Sequence, residues 1–207
     1  MSESIENLNI AIIPPPALAK KAIGVSERFG RRGGLFVLDN RNFFVHLTLY
    51  MFGAPKKSLG EIQVALDQLS TNEPALKLRT LKHRFDDGWV HVAFRRSRNI
   101  TGLATRVIEI VNPLREGVIR ARDKEKFNQY TKEEQKNLDR YGFISVGDLY
   151  IPHITFTKMP KLEPDIFSDI ATDDYSFTAE RIGLFELGEH GTCRRLIREF
   201  ELQPQNL

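Results

Sequence analysis

The chain has 207 residues, of which 41% are apolar and 28% are charged. This balance excludes a disordered chain, a collagen-like fibre and a long coiled coil, and the length suits one sizeable domain or two small lobes. The formal net charge of +3 permits anionic partners without requiring them.

One cysteine, Cys193, is present. An intrachain disulfide and a zinc site built on several thiolates are therefore excluded, and a reducing compartment fits best. The apolar run at residues 10–18 contains three consecutive prolines and has no basic segment before it, so it predicts neither a signal peptide nor a membrane span. We expect a soluble, cytoplasmic monomer.

The first quarter of the chain predicts a strand, a helix and a second strand. Residues 8–13 are a short apolar run closed by prolines, which is typical of a strand. Residues 17–29 predict a helix, which a basic, glycine-rich loop at 30–34 ends. Residues 43–52, rich in aromatic and β-branched side chains, predict a buried strand.

The middle of the chain predicts two helices around a hairpin. Ser58 and Glu61 have capping-box spacing before apolar residues at helical spacing. Strands are predicted at 76–85 and 89–94, because the Asp-Asp-Gly between them suits a tight turn. Asn99 is the expected cap of a second helix, which the Asn-Pro at 112–113 ends.

The last part of the chain begins with a charged segment at 115–140, which we expect to be a surface excursion. Within it, Thr131 and Glu134 form a capping-box pattern ahead of a short polar helix. A strand at 148–159, a short helix at 164–171 and a hairpin of strands at 176–187 and 192–202 complete the order. The whole succession predicts an α+β fold.

Two strand-like segments carry the same His-x-Thr pattern, Val45-His46-Leu47-Thr48-Leu49 and Ile151-Pro152-His153-Ile154-Thr155-Phe156. Residues two apart in a strand share a face, so each histidine lies on the same face as its threonine while the apolar residues take the other face. One such match arises easily by chance. Two matches between apolar neighbours indicate a shared function.

The two His-x-Thr motifs supply the side chains that cleavage of a phosphate ester needs. Two imidazoles across a groove can act as base and acid near neutral pH, because the reference pKa of histidine is about 6.5. His46 and His153 are thus candidate catalytic residues, and Thr48 and Thr155 are candidate phosphate-binding hydroxyls. This mechanism requires no metal and no cofactor.

On these motifs the sequence resembles the 2H phosphoesterase superfamily, which includes bacterial RNA 2′,3′-cyclic phosphodiesterases also called 2′-5′ RNA ligases. The resemblance implies one bilobal α+β domain over residues 1–207, with two antiparallel sheets flanked by helices around a groove that carries both motifs. It also implies hydrolysis of a 2′,3′-cyclic phosphate or 2′,5′-phosphodiester in an RNA end or small nucleotide, with neither a membrane nor a protein partner. Which histidine is the acid stays open.

Two alternatives remain. A non-catalytic module that binds RNA ends or nucleotides would keep the groove, although binding needs hydroxyls and arginines more than two titrating imidazoles. RNA 2′-5′ ligation would use the same acid–base pair in the reverse direction.

Several other residues have both a functional and a purely structural interpretation. His83 and His91 lie on the two arms of the predicted hairpin, but two histidines without further ligands seldom form a metal site. His190 is expected to be exposed in a turn. Tyr50 is the best candidate for stacking on a base, because its alternation places it with His46 and Thr48.

Cysteine chemistry and long basic surfaces find less support. No local pattern ties a base to Cys193, so a nucleophilic role is disfavoured. The arginine clusters at 31–32, 95–98 and 194–198 are expected to be solvated surface, although they could attract a nucleic-acid backbone.

Overall fold

The computed structural model describes residues 4–160 and 173–204. Its strands are β1 (Ile5–Ile12), β2 (Leu47–Pro55), β3 (Leu76–Leu78), β4 (Thr80–Asp86), β5 (Trp89–Phe94), β6 (His153–Lys158), β7 (Phe177–Ala179), β8 (Arg181–Leu187) and β9 (Cys193–Glu201). Its α-helices are α1 (Pro16–Gly30), α2 (Leu59–Ser70), α3 (Arg98–Val111), α4 (Ala121–Glu125) and α5 (Lys132–Tyr141).

Antiparallel sheets form two lobes. The first lobe has the strand order β2-β1-β8-β9 and the second has β4-β5-β6, while β3 and β7 pair separately. Each motif strand therefore shares a sheet with the hairpin that follows the other motif strand in sequence. This exchange ties the two halves of the chain into one unit.

The helices strengthen that exchange. Helix α1 connects two strands of the first lobe but contacts β6, and α3 follows a strand of the second lobe but contacts β2. In α1, Ser26 donates a hydrogen bond to the carbonyl oxygen of Phe156 at 2.6 Å and accepts one from the amide of Leu38 at 2.9 Å. One continuous apolar cluster accordingly runs through both lobes.

The predicted α+β class with antiparallel sheets is confirmed. The hairpin between β4 and β5 also forms as expected, with positive φ angles at Asp87 and Gly88. A side chain at Gly88 would come within 2.5 Å of the carbonyl oxygen of Met159, so glycine is required there by space as well as by φ.

Some predicted boundaries are wrong. The strand predicted at 43–52 begins only at Leu47, because the segment before it makes a single bridge from Phe44 to Cys193. The runs at 76–85 and 176–187 each divide into two strands that belong to different sheets. The helix predicted at 164–171 lies outside the described residues.

The caps follow local geometry more than motif spacing. Ser58 makes no capping hydrogen bond, because a 3₁₀ turn runs directly into α2 and gives this residue helical dihedral angles. Ser97, not Asn99, caps α3 by accepting from the amide of Ile100 at 3.4 Å. The capping box of Thr131 and Glu134 is confirmed.

Among the residues that the structure describes, no helix is long and apolar enough to span a bilayer.

Candidate active site

A cleft of about 330 Å³ lies between the two lobes. All four predicted site residues line it: His46, Thr48, His153 and Thr155. The rest of its wall comes from the loop before β2, from β2 and β5, from the segment 120–151 and from the turn before β9. These residues are Phe36, Leu38, Met51, Trp89, His91, Arg120, Arg122, Asp123, Tyr130, Phe143, Ile144, Ser145, Tyr150, Ile151, His190, Gly191 and Thr192.

The backbone holds the two motif histidines in the same way. Nδ1 of His46 bonds the carbonyl oxygen of Phe44 at 2.8 Å, and Nδ1 of His153 bonds the carbonyl oxygen of Ile151 at 2.7 Å. A carbonyl only accepts, so Nδ1 carries the hydrogen in both rings and Nε2 carries the lone pair in the neutral form. Each Nε2 is therefore the atom that can take up or give a proton.

Burial favours the neutral form of both rings. It lowers the pKa of His46 to about 4, an effect that the bond to Phe44 and the backbone of Gly191 oppose and that the charge of His153 reinforces. Burial also lowers the pKa of His153, while its bond to Ile151 opposes the shift. An anionic phosphate in the cleft would raise both pKa values, since it stabilises the imidazolium.

The two threonines have different neighbours. Oγ1 of Thr48 accepts a hydrogen bond of 3.0 Å from Nδ2 of Asn9, a fully buried side chain of β1. This bond uses one of the two acceptor lone pairs of the Thr48 hydroxyl and does not use its hydrogen, which can be donated towards the cleft. Thr155 instead lies opposite His91 on β5.

A β-bulge follows the threonine in both motif strands. Leu49 is the extra residue where β2 pairs with β1, and Phe156 is the extra residue where β6 pairs with β5. A bulge reverses the alternation of faces beyond it. His46 and Thr48 therefore keep one face, whereas residues after the bulge exchange faces.

The bulge makes the prediction for Tyr50 wrong. Tyr50 is fully buried against Phe52, and its hydroxyl donates to the carbonyl oxygen of Tyr141 at 2.6 Å. Met51 takes the place in the cleft that uninterrupted alternation assigns to Tyr50. The bulge in β6 likewise turns Thr157 away from the cleft. Thr157 is fully buried, and its hydroxyl donates to the carbonyl oxygen of Phe36 at 2.7 Å.

A third histidine, His91, lies at the site and was not predicted there. Its ring centroid is 4.9 Å from that of His153, and the residue is only 7% exposed. The alternation in β5 could have placed His91 on one face of that strand. Only the pairing of β5 with β6 brings it to the second motif.

His83 and His91, which the sequence disfavoured as a metal pair, lie on opposite faces of the hairpin. His83 packs against Phe156 and Tyr175 and bonds the carbonyl oxygen of Asp173, on the side of the hairpin away from His91. Within residues 4–160 and 173–204, no group of three His, Cys, Asp or Glu side chains is arranged to hold a metal ion.

The surroundings of Cys193 and His190 bear on the roles considered for them. Cys193 is fully buried, and burial raises the pKa of its thiol well above the usual value, which argues against a nucleophilic role. His190 is exposed as expected, and it also borders the cleft between the rings of Phe36 and Trp89.

The charged segment at 115–140 contributes directly to the cleft. Arg120 and Asp123 are less than 9% exposed, and Nε of Arg120 donates to the Asp123 carboxylate at 2.6 Å. Tyr130 donates to the same carboxylate at 3.2 Å. The arginines bordering the cleft, Arg120 and Arg122, thus lie outside the three clusters singled out in the sequence.

Solved structures with the same fold include proteins of Thermus thermophilus and E. coli. TT0787 of Thermus thermophilus has a TM-score of 0.63 at 15% identity, with 97% of this chain and 100% of that chain covered. LigT of E. coli in its apo form has a TM-score of 0.59 at 16% identity, with 97% and 99% covered. A structure described as a phosphoesterase has a TM-score of 0.58 at 14% identity, with 97% and 99% covered.

LigT has also been crystallised with 3′-AMP and with phosphate. No protein-family model and no curated protein matches the chain by sequence. At these identities the likeness shows the fold, which this chain shares with these proteins.

Proposed function

We propose that this protein is a phosphoesterase that hydrolyses a 2′,3′-cyclic phosphate or a 2′,5′-phosphodiester of an RNA end or small nucleotide. The observation that carries the proposal is the matched pose of His46 and His153: each ring has its Nδ1 held by a main-chain carbonyl and lines the same cleft. Thr48 and Thr155 supply a hydroxyl beside each ring.

Hydrolysis of a cyclic phosphate then needs two proton transfers. One histidine accepts a proton through Nε2 from a water molecule as the water oxygen forms a bond to phosphorus. The other, protonated, gives its Nε2 proton to the ribose oxygen as the bond from that oxygen to phosphorus breaks. The product is a ribose phosphomonoester, and each histidine ends in the protonation state from which the other began.

The threonine hydroxyls serve the phosphoryl group. A hydroxyl aimed at a non-bridging oxygen stabilises the charge that gathers there in the transition state. The hydrogen bond from Asn9 supports this role for Thr48, because it leaves the hydroxyl hydrogen to donate.

The fold gives secondary support. LigT, which shares it, has been crystallised with 3′-AMP, a ribose phosphomonoester. A cleft of about 330 Å³ is within the range of small-molecule sites and suits a nucleotide or an RNA end better than a duplex.

The test is turnover of nucleoside 2′,3′-cyclic phosphates and 2′,5′-linked dinucleotides, with and without chelator, by the wild type, His46→Ala and His153→Ala. Since general acid–base catalysis contributes about 10²–10⁴-fold, each substitution is expected to reduce kcat by that amount while leaving ligand binding largely intact. Chelator is expected to have no effect.

His83→Ala is the matched control, because it removes a histidine that lies away from the cleft. Wild-type protein that binds these nucleotides but turns none over would instead indicate a binding module. Ligation is tested in the same experiment by supplying a 5′-hydroxyl RNA end, whose joining would be seen as a longer product.

A further inference from the structure

The surroundings of His91 differ from those of the two motif histidines. His46 and His153 each have Nδ1 bonded to a carbonyl, whereas Nδ1 of His91 is buried and has no hydrogen-bond partner among residues 4–160 and 173–204. A buried polar atom without a partner costs free energy, so its retention calls for a reason.

A carboxylate fixes the hydrogen of the His91 ring. Oδ2 of Asp86 lies 3.4 Å from Nε2 of His91, at the end of the neighbouring strand β4. Because a carboxylate only accepts, this contact favours the tautomer of His91 with the hydrogen on Nε2 and the lone pair on Nδ1. The orphaned atom is therefore an acceptor, on a ring whose centroid is 4.9 Å from that of His153.

We propose that His91 is a positioning residue for His153: Asp86 holds it in the tautomer whose Nδ1 is an acceptor, and this neutral acceptor favours the protonated form of His153. His153 then acts as the general acid and His46 as the base. This inference rests on the proposed function, since it assigns the two roles within the same reaction.

The two charges beside His91 act on His153 in opposite directions. Arg84 is bound to Asp86 at 2.8 Å and opposes a positive charge on His153, while Asp86 favours one. On the far wall of the cleft, Arg120 is paired with Asp123, and Arg122 lies nearby.

The charge of His153 affects the pKa of both neighbouring histidines. Burial lowers the pKa of His91 to about 4, as it does for His46, and in both residues a positive charge on His153 lowers the pKa further. A positive charge on His153 therefore favours the neutral form of the other two rings. Two imidazolium ions this close would repel each other.

The experiment compares His91→Leu with His91→Asn, because the amide oxygen of asparagine can replace the Nδ1 acceptor and leucine cannot. The pH at which His153 titrates is measured by NMR on ¹⁵N-labelled histidine, in the protein without substrate. Because the neutral acceptor beside the charged ring is lost, the titration point of His153 is expected to fall by about one pH unit in His91→Leu and by less in His91→Asn.

Kinetics provide the second readout. The deprotonation of a general acid sets the basic limb of kcat/KM against pH, so this limb is expected to move to lower pH in His91→Leu. Asp86→Asn, at a half-exposed position, is expected to shift the limb in the same direction without a risk to folding.

His83→Leu is the matched control, on the other face of the same hairpin, and should shift neither readout. An unchanged or raised titration point of His153 in His91→Leu would overturn the proposal, since it would mean that the two rings only compete for charge. The NMR readout needs no turnover, so failure of the proposed function would be recognised separately from failure of this inference.

Discussion

The strand that follows His46 and the strand that begins at His153 can be compared residue by residue. In both, the histidine bonds the carbonyl oxygen two residues before it, a threonine follows two residues later, and a bulge comes directly after the threonine. Their neighbours differ: at the equivalent positions of the adjacent strands, Ala11 faces Thr48 and His91 faces Thr155. The backbone thus sets the pose of each histidine, and the adjacent strand sets how each one titrates.

The lobes also differ in the chain that connects their paired strands. The connection from β1 to β2 contains α1, whereas the connection from β5 to β6 contains α3 and the longer segment that lines the cleft. The asymmetry of the site therefore comes from parts outside the two motifs.

The largest expected effect concerns the buried ion pair in that longer connection. Arg120→Met leaves the Asp123 carboxylate buried without its partner, which is expected to lower the free energy of unfolding by about 3–5 kcal/mol. Chemical denaturation measures this free energy of unfolding. Arg122→Met, at an exposed position, is the control, and an equal loss in the control would show that the pair itself does not matter.

The threonine pair tests whether the two motifs contribute equally. Thr48→Val and Thr155→Val each remove a donor at nearly constant volume, and each is expected to reduce kcat by about 10²–10³-fold, as the loss of one transition-state donor does. Steady-state kinetics on the substrate found in the first assay measure both losses. A loss confined to one variant would indicate that the phosphoryl group is bound by one lobe alone.

Asn9 should sharpen the same comparison with a smaller effect. Asn9→Ala removes the bond to Oγ1 of Thr48 but leaves the hydroxyl in place. We expect a roughly tenfold fall in kcat with little change in KM, and no additional fall when the change is combined with Thr48→Val. Full additivity in the double variant would show that Asn9 acts independently of Thr48.

The smallest expected effect is on stability in acid. The pKa values of His46 and His91 are lowered from 6.5 to about 4 in the folded protein, so below pH 6.5 the unfolded chain binds more protons. Stability is expected to fall as the pH decreases from 6.5 towards 4, and His46→Ala should lessen this fall. The shift corresponds to at most about 3 kcal/mol per histidine, which solvent screening at the half-buried His46 reduces, and each 1 kcal/mol shifts the melting temperature by roughly 2–4 °C, measurable by calorimetry. If stability fell with pH equally in the wild type and in His46→Ala, this prediction would be wrong.

Local pattern was sufficient for much of the fold and for the four motif residues. Apolar runs between breakers predicted the strands, helical spacing predicted α2 and α3, and the alternation of faces put each histidine with its threonine. These properties depend on residues near one another in sequence. The same local rule failed at Tyr50, since a bulge appears only once two strands have paired.

What the sequence by itself determined is the α+β class, the two His-x-Thr strands and the side chains that each strand presents together. Tertiary structure alone decided which strands became neighbours: each motif strand received the hairpin of the other half, and so His91 came to His153, Asn9 to Thr48 and the 120–151 segment to the cleft. The physical reason is that side-chain alternation is a property of one strand, whereas register, bulges and the burial that shifts a pKa belong to pairs of strands and to the packing around them.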